Sequence, residues 1–197
     1  MPCPSDLDRC FQLFEEEGYF ILPQFFERAE IASLQERIDQ IMLGTADVDY
    51  EQIWMQLDTD SGKYEDLSWG GNGFQGATLD YRKIQGLEAD QRFLDFITSS
   101  FFVQLCERVY GPNLPITSFR TMFMNKAAGK GTWLPWHQDR WNFLDQDPLL
   151  TVWIPLDEAT LENGCVQIIR RSHRKGLINP EHSSENFSSP EQLFEYG

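Results

Sequence analysis

Hydrophobic positions in the first part of the chain recur at helical spacing. Over residues 5–17, SDLDRCFQLFEEE, the side chains of Leu7, Phe11 and Phe14 lie along one helical face, and Cys10 joins them. Ser5, with Asp8 three residues later, reads as a capping-box-like start, and Gly18 stops the helix. The run YFILP then reads as a short buried strand. FERAEIASLQERIDQIML predicts a second amphipathic helix, with Ile31, Leu34, Ile38 and Ile41 at helical spacing and Gly44 at its end. Residues 45–80 lose all periodicity. They are polar, broken by DTDSG and WGGNG, and read as a long loop with little regular structure. YRKIQGL is a short extended piece. DQRFLDFITSSFFVQLCERVYG resumes the helical period, with a break at Thr98-Ser99-Ser100 and a stop at Gly111-Pro112.

From Pro115 the pattern changes to β-rich runs: ITSFRTMFMNK, WLPWHQD, LLTVWIPL and GCVQIIRR, separated by Gly, Pro, Asp and Asn clusters. DEATLENG is a loop with a turn at Asn163-Gly164. The organisation expected is one domain over 1–197. Residues 1–114 form its helical part with the long loop 45–80, residues 115–172 its strands, and residues 173–197 a polar tail.

Composition narrows the function classes. The chain of 197 residues is long enough to bury a core, and 41% hydrophobic with 14% aromatic residues reads as globular. A net charge of −15, with no compact basic stripe, excludes nucleic acid and anionic membranes as partners. The four cysteines, Cys3, Cys10, Cys106 and Cys165, form no CxxC pair and read as free thiols. The first residues lack a secretory pattern and the last, EYG, are no peroxisomal address, so the cytoplasm is the default expectation.

The candidate chemistry sits in WLPWHQDRWNF, residues 133–143, which holds His137. On an extended segment residues i and i+2 share a face, so His137 and Asp139 present an imidazole and a carboxylate side by side. That is two thirds of a facial triad of two histidines and one carboxylate, which holds Fe(II) with open positions for a co-substrate and dioxygen. Trp133, Leu134, Trp136, Trp141 and Phe143 would wall such a centre from water. A histidine hydrogen-bonded to a nearby carboxylate is also an ordinary structural arrangement, and the spacing alone leaves both readings open. A strand rich in Met before the motif and a strand, an Asn-Gly turn and a strand after it place the pair as a jelly roll or cupin barrel places inward-facing ligands.

The run WHQDRWNFLDQDPLLTVWIPLDEATLENGCVQIIRRSHRKGLI resembles the core of the phytanoyl-CoA dioxygenase family of Fe(II)- and 2-oxoglutarate-dependent oxygenases. FEEEGYFILPQFF with its following helix resembles the family's opening, and YRKIQGL and TMFMNKAAGKG match two further family segments, in order. The resemblance implies an α+β fold with a mostly β core: a double-stranded β-helix behind N-terminal helices, with His137 and Asp139 directed into its interior. It implies that these two residues are iron ligands and catalytic. It also implies that Lys83, Met122 and Trp153 line the pocket for 2-oxoglutarate. Read on their own residue types, Lys83 is equally a solvated loop lysine, and Met122 and Trp153 are equally plain barrel core. The implied reaction is hydroxylation of an unactivated C–H bond of a small-molecule or acyl substrate, with release of succinate and CO2.

Two departures from the family follow. The family's late-strand histidine and the arginine after it, which pairs with the distal carboxylate of 2-oxoglutarate, have no counterpart before the chain stops. The barrel is therefore expected to be incomplete at its C-terminus, with an open edge that can pair with another chain, and iron affinity is expected to be low. His173 aligns with a family histidine that is not a ligand, and His182 lies in the polar tail; neither is expected to replace the missing ligand. The family's Pro-Gly before Ser-His is Arg170-Arg171 here, which adds charge to that turn and is expected to be solvated. Two alternatives stand beside the enzyme: a catalytically inactive truncated homologue acting as a binding or regulatory partner, and a metal-free or differently metallated cupin-like protein using His182.

Overall fold

The computed structural model describes residues 4–139, 144 and 148–177. In chain order its elements are α1 (Pro4–Glu17), α2 (Arg28–Met42), β1 (Trp54–Leu57), β2 (Gly71–Asn72), β3 (Tyr81–Gln85), α3 (Gln91–Ile97), α4 (Ser100–Tyr110) and β4 (Met122–Met124). Short 3-10 turns lie at Tyr50–Gln52, Tyr64–Asp66, Leu87–Ala89 and Ser172–Lys175. The chain falls into two compact units. One is formed by residues 1–27, 135–148 and 165–197, and the other by 28–134 with 149–164.

The larger unit is built on an antiparallel sheet of order β2-β1-β3-β4. Register places Met55 opposite Ile84 and Ile84 opposite Phe123. Alternation therefore puts these three on one face, where Met55 and Ile84 are fully buried with Leu34, Ile38, Ile41 and Met42 of α2. Burying each such side chain contributes ~2 kcal/mol, so the apolar stripe of α2 and this row specify each other. The loop between β2 and β3 is fastened by Tyr81. Its buried hydroxyl donates to Gly76 O at 2.8 Å and accepts from Gln75 N at 3.1 Å. Asn125 clips β4 to the start of β3 through the carbonyls of Leu79 and Tyr81.

A buried carboxylate fixes the next joint. Asp90 caps α3, accepting the backbone N–H groups of Arg92 and Phe93 on Oδ1. Its Oδ2 accepts from Nε and Nη2 of Arg37 on α2, each at 2.7 Å. Asp90 is 2% exposed, so the charge is tolerable only because cap and guanidinium satisfy both oxygens.

In the smaller unit Phe11 and Phe14 of α1 form an edge-to-face trio with Phe20 beyond its end, with ring centroids 5.7–6.3 Å apart. Gly18 ends the helix at φ +87°, where a Cβ would lie 2.5 Å from His173 Nδ1. Both the backbone and the histidine ring therefore require glycine at this position.

Several expected strands are absent from the described residues. YFILP forms none: it is bounded by Gly18 and Pro23, and Ile21 is 73% exposed. LLTVWIPL and GCVQIIRR have no ladder partner, although the Asn163-Gly164 turn between them forms. WLPWHQD makes only an isolated bridge at His137. Conversely, β1 and β2 form inside the segment expected to be loop. The result is a small antiparallel sheet with helices, not a closed barrel. The helix over 91–110 breaks at Thr98–Ser99, as expected. α1 begins at Pro4, so Ser5 lies inside its first turn rather than ahead of it. Cys106 and Cys165 carry free thiols, and no helix among the described residues is long and apolar enough to cross a membrane.

Replacing Asp90 by Ala is expected to destabilise the chain by ~3 kcal/mol, because Arg37 is left without its carboxylate and α3 without its cap; Asp90→Asn, which keeps an oxygen for the cap, should lose less. Urea denaturation of both variants measures the difference. Gly18→Ala is expected to lower the thermal midpoint through a left-handed backbone cost of ~1–2 kcal/mol and displacement of His173, which calorimetry would register.

Candidate functional site

The pair found from the i, i+2 spacing comes together. His137 Nε2 lies 3.4 Å from Asp139 Oδ1. His137 Nδ1 is 2.8 Å from the carbonyl oxygen of Pro135. A carbonyl only accepts, so Nδ1 carries the hydrogen, and Nε2 is the nitrogen turned to the carboxylate. This contact closes over two residues, so the local sequence Pro-Trp-His sets the ring orientation. Metal-ligating histidines are held in the same way, by a backbone acceptor on the far nitrogen. The side chains of His137 and Asp139 keep 28% and 44% of their exposure. The pair thus shares one side but is more open than the interior position expected for it.

An imidazole nitrogen and a carboxylate oxygen are a donor set that iron accepts. Neighbouring ligands at right angles on a metal with ~2.1 Å bonds stand ~3 Å apart, close to the separation found. The two residues fit a metal as two of its ligands. Among the described residues no group of three His, Cys, Asp or Glu side chains converges. His173 donates from Nε2 to Glu15 O at 3.0 Å, a structural engagement. His182, Trp141 and Phe143 lie outside the described residues. Of the expected apolar wall, Trp136 and Leu134 are half-buried and Trp133 is exposed.

Lys83, Met122 and Trp153 belong to the other unit. Register pairs Gln56, Lys83 and Met124 in one row, and Trp54, Gln85 and Met122 in the next. Alternation puts both rows on the face opposite the buried row of Met55 and Ile84. Lys83 is thus on a central strand, with its ammonium 6.0 Å from the centroid of the Trp54 ring. Met122 and Met124 are 36% and 41% exposed on that face. A cation beside an aromatic plane and flexible thioethers is chemistry suited to a carboxylate with a short carbon chain. Trp153 is half-exposed in a segment without strand pairing.

Sequence reasoning missed a heavily bonded charge cluster among the described residues of the smaller unit. Glu17 Oε2 accepts from Arg170 Nε at 2.9 Å, and Oε1 accepts from Nε and Nη2 of Arg171 at 3.0 and 2.7 Å. The expectation that these arginines are simply solvated is corrected. Their side chains are exposed, but both grip a carboxylate that is only 12% exposed. The two arginines hold the Glu17 carboxyl far below the usual carboxylate range, at about 2. The signal in the sequence was Glu15-Glu16-Glu17 at the negative end of a helix whose last turn has no basic residue, together with the basic run Arg170–Lys175.

Comparison with known proteins bears on the family of the chain. The family model described as Phytanoyl-CoA dioxygenase (PhyH) matches residues 14–193. The chain is 28% identical to a protein of Arabidopsis thaliana named phytanoyl-CoA dioxygenase, covering 98% of this chain and 73% of that one. It is 29% identical to phytanoyl-CoA dioxygenase domain-containing protein 1 of Mus musculus, covering 97% and 72%. A more distant relative, from Stutzerimonas stutzeri, is named as a probable alpha-ketoglutarate-dependent hypophosphite dioxygenase and is 26% identical over 86% of this chain and 54% of its own. No solved structure matches the chain.

The depressed Glu17 value sets a pH window. The folded chain favours the carboxylate, so the clamp contributes in full above the ordinary glutamate value of 4.5 and fades as pH falls towards about 2. Carboxyl-carbon NMR should show Glu17 titrating well below the ordinary glutamate value of 4.5. Glu17→Gln should flatten the part of the acid-unfolding curve that lies within that window.

Proposed function

The chain belongs to the phytanoyl-CoA dioxygenase family, and from that membership we propose that it is an Fe(II)- and 2-oxoglutarate-dependent dioxygenase acting on a small-molecule or acyl substrate, with the double-stranded β-helix of the family as its catalytic fold. One observation carries the reading: Nε2 of His137 faces Asp139 Oδ1 at 3.4 Å while Nδ1 is tied to Pro135. His137 and Asp139 would hold the iron. With iron bound, the centre would couple oxidative decarboxylation of 2-oxoglutarate, giving succinate and CO2, to hydroxylation of an unactivated C–H bond.

The chain's own residues have simpler tasks. The Pro135 carbonyl keeps the His137 ring in the tautomer whose free lone pair is on Nε2. Asp139 supplies an anionic oxygen beside it, which lowers the net charge of a bound divalent ion. Lys83 offers a cation for a carboxylate of the co-substrate, and Met122 and Trp153 offer apolar surface for its carbon chain. The alpha-ketoglutarate dependence in the name of the bacterial relative supports that co-substrate. Trp136, next to His137 in the chain and half-buried, offers apolar surface beside the pair.

The test is binding rather than turnover. Mn(II) titrated into the full chain and followed by electron paramagnetic resonance should bind, and His137→Ala or Asp139→Ala should each weaken binding by more than ~100-fold. Lys83→Ala should leave Mn(II) binding unchanged and reduce the additional effect of 2-oxoglutarate. Equal Mn(II) affinity in wild type, His137→Ala and Asp139→Ala would sink the assignment.

A further inference from the structure

Resting on the reading of His137 and Asp139 as a ligand pair, we propose that Glu17 and the Arg170–Arg171 pair are positioning residues for it, acting through Gly176 and Gln138. The basis is two sets of polar contacts inside one compact unit, joined by the short backbone stretch from Arg174 to Gly176. Beyond the side-chain bonds to Glu17, the backbone N–H of Arg171 donates to Glu17 O at 2.9 Å. His173 and Arg174 both donate to Glu15 O. Residues 170–174 are thus laid across the end of α1. Two residues later, Gly176 O accepts from Gln138 Nε2 at 3.0 Å. Gln138 is the residue between His137 and Asp139.

The backbone of Arg171 strengthens the inference. It sits at φ +63°, in the left-handed region. Arginine there is strained and persists only where its surroundings over-determine it. Glycine would take the same turn at no steric cost, so the turn itself does not call for arginine. What arginine adds is the two-atom grip on Glu17 Oε1. The side chains of Arg170 and Arg171 are 65% and 59% exposed, and ion pairs this open add little to stability. Their geometric effect is larger. Residues 137 and 139 share a side only while the backbone at 138 stays extended, and the Gln138 side chain is anchored to the segment that the clamp fixes.

The experiment uses the metal-free full chain with nitrogen-labelled histidine, at one fixed pH. The sequence has three histidines, which keeps assignment simple. In wild type, the His137 ring nitrogens should report a single Nδ1–H form. In Glu17→Gln and in Arg171→Gly they should shift towards an average of both tautomers while the thermal transition stays cooperative. Mn(II) affinity should fall about tenfold in the same variants. Unchanged His137 ring signals in Arg171→Gly would overturn the proposal. If Glu17→Gln fails to fold, Arg171→Gly decides alone, since glycine suits that turn. Failure of both to fold also overturns it, because the clamp is then a support of the fold and not a positioning device. If wild type binds no Mn(II), the ligand reading fails, and the ring signals still decide the positioning.

Discussion

Three consecutive glutamates at the end of α1 set the constraint on which the smaller unit depends. The last carbonyls of a helix carry the negative end of its dipole, and Glu15, Glu16 and Glu17 add negative charge to it. The cations that answer this charge come from more than 150 residues away: Arg170 and Arg171 lie 153 and 154 positions from Glu17. The same segment brings a backbone N–H and the His173 ring to helix carbonyls that have no partner within α1. Each exposed ion pair is weak on its own. Together they hold the arginine backbone in a conformation that costs ~1–3 kcal/mol, and glycine at position 18 lets the His173 ring approach the helix end. Charge, backbone and packing thus converge on one short stretch.

The larger unit answers to a different constraint, the alternation of its sheet. One face is committed to α2 through Met55 and Ile84, and the buried Asp90 locks α2 to α3 behind it. A face committed to packing cannot bind a polar ligand. Lys83 and Met122 lie on the other face, beside Trp54 and Met124. A two-residue period therefore separates the stabilising side chains of β3 from the one with carboxylate-binding chemistry. A one-residue slip of register would bury a lysine and expose Ile84, so the core contacts of Ile84 also hold Lys83 on its face.

The helices were legible because their signal is local. The apolar positions of α2 follow the helical period, and the break between α3 and α4 falls at the Thr-Ser pair that the sequence marks. Strands were less legible because a strand exists only with a partner. LLTVWIPL has strand-like composition, yet Val152 and Trp153 are about half exposed and unladdered. Trp54–Leu57 sits in a polar region, yet it pairs with β3 through a register that no local window contains. The proximity of His137 and Asp139 was legible because two residues on one extended segment need no distant information. The clamp was not. Its two halves are both visible as charge runs, but nothing in either run says that they meet.

The His137–Asp139 contact is itself an argument about what occupies the space between them. With Nδ1–H committed to Pro135, Nε2 of the neutral ring is an acceptor, and so is the carboxylate oxygen that it faces. Two acceptors at 3.4 Å repel unless a cation lies between or beside them. A proton can serve, which gives an ordinary ion pair; a divalent metal can serve, which gives the first two ligands of a centre. The two readings of the sequence motif are thus two occupants of one geometry. Because both are cations competing for the same lone pair, a metal ion and a proton on Nε2 exclude each other at this pair.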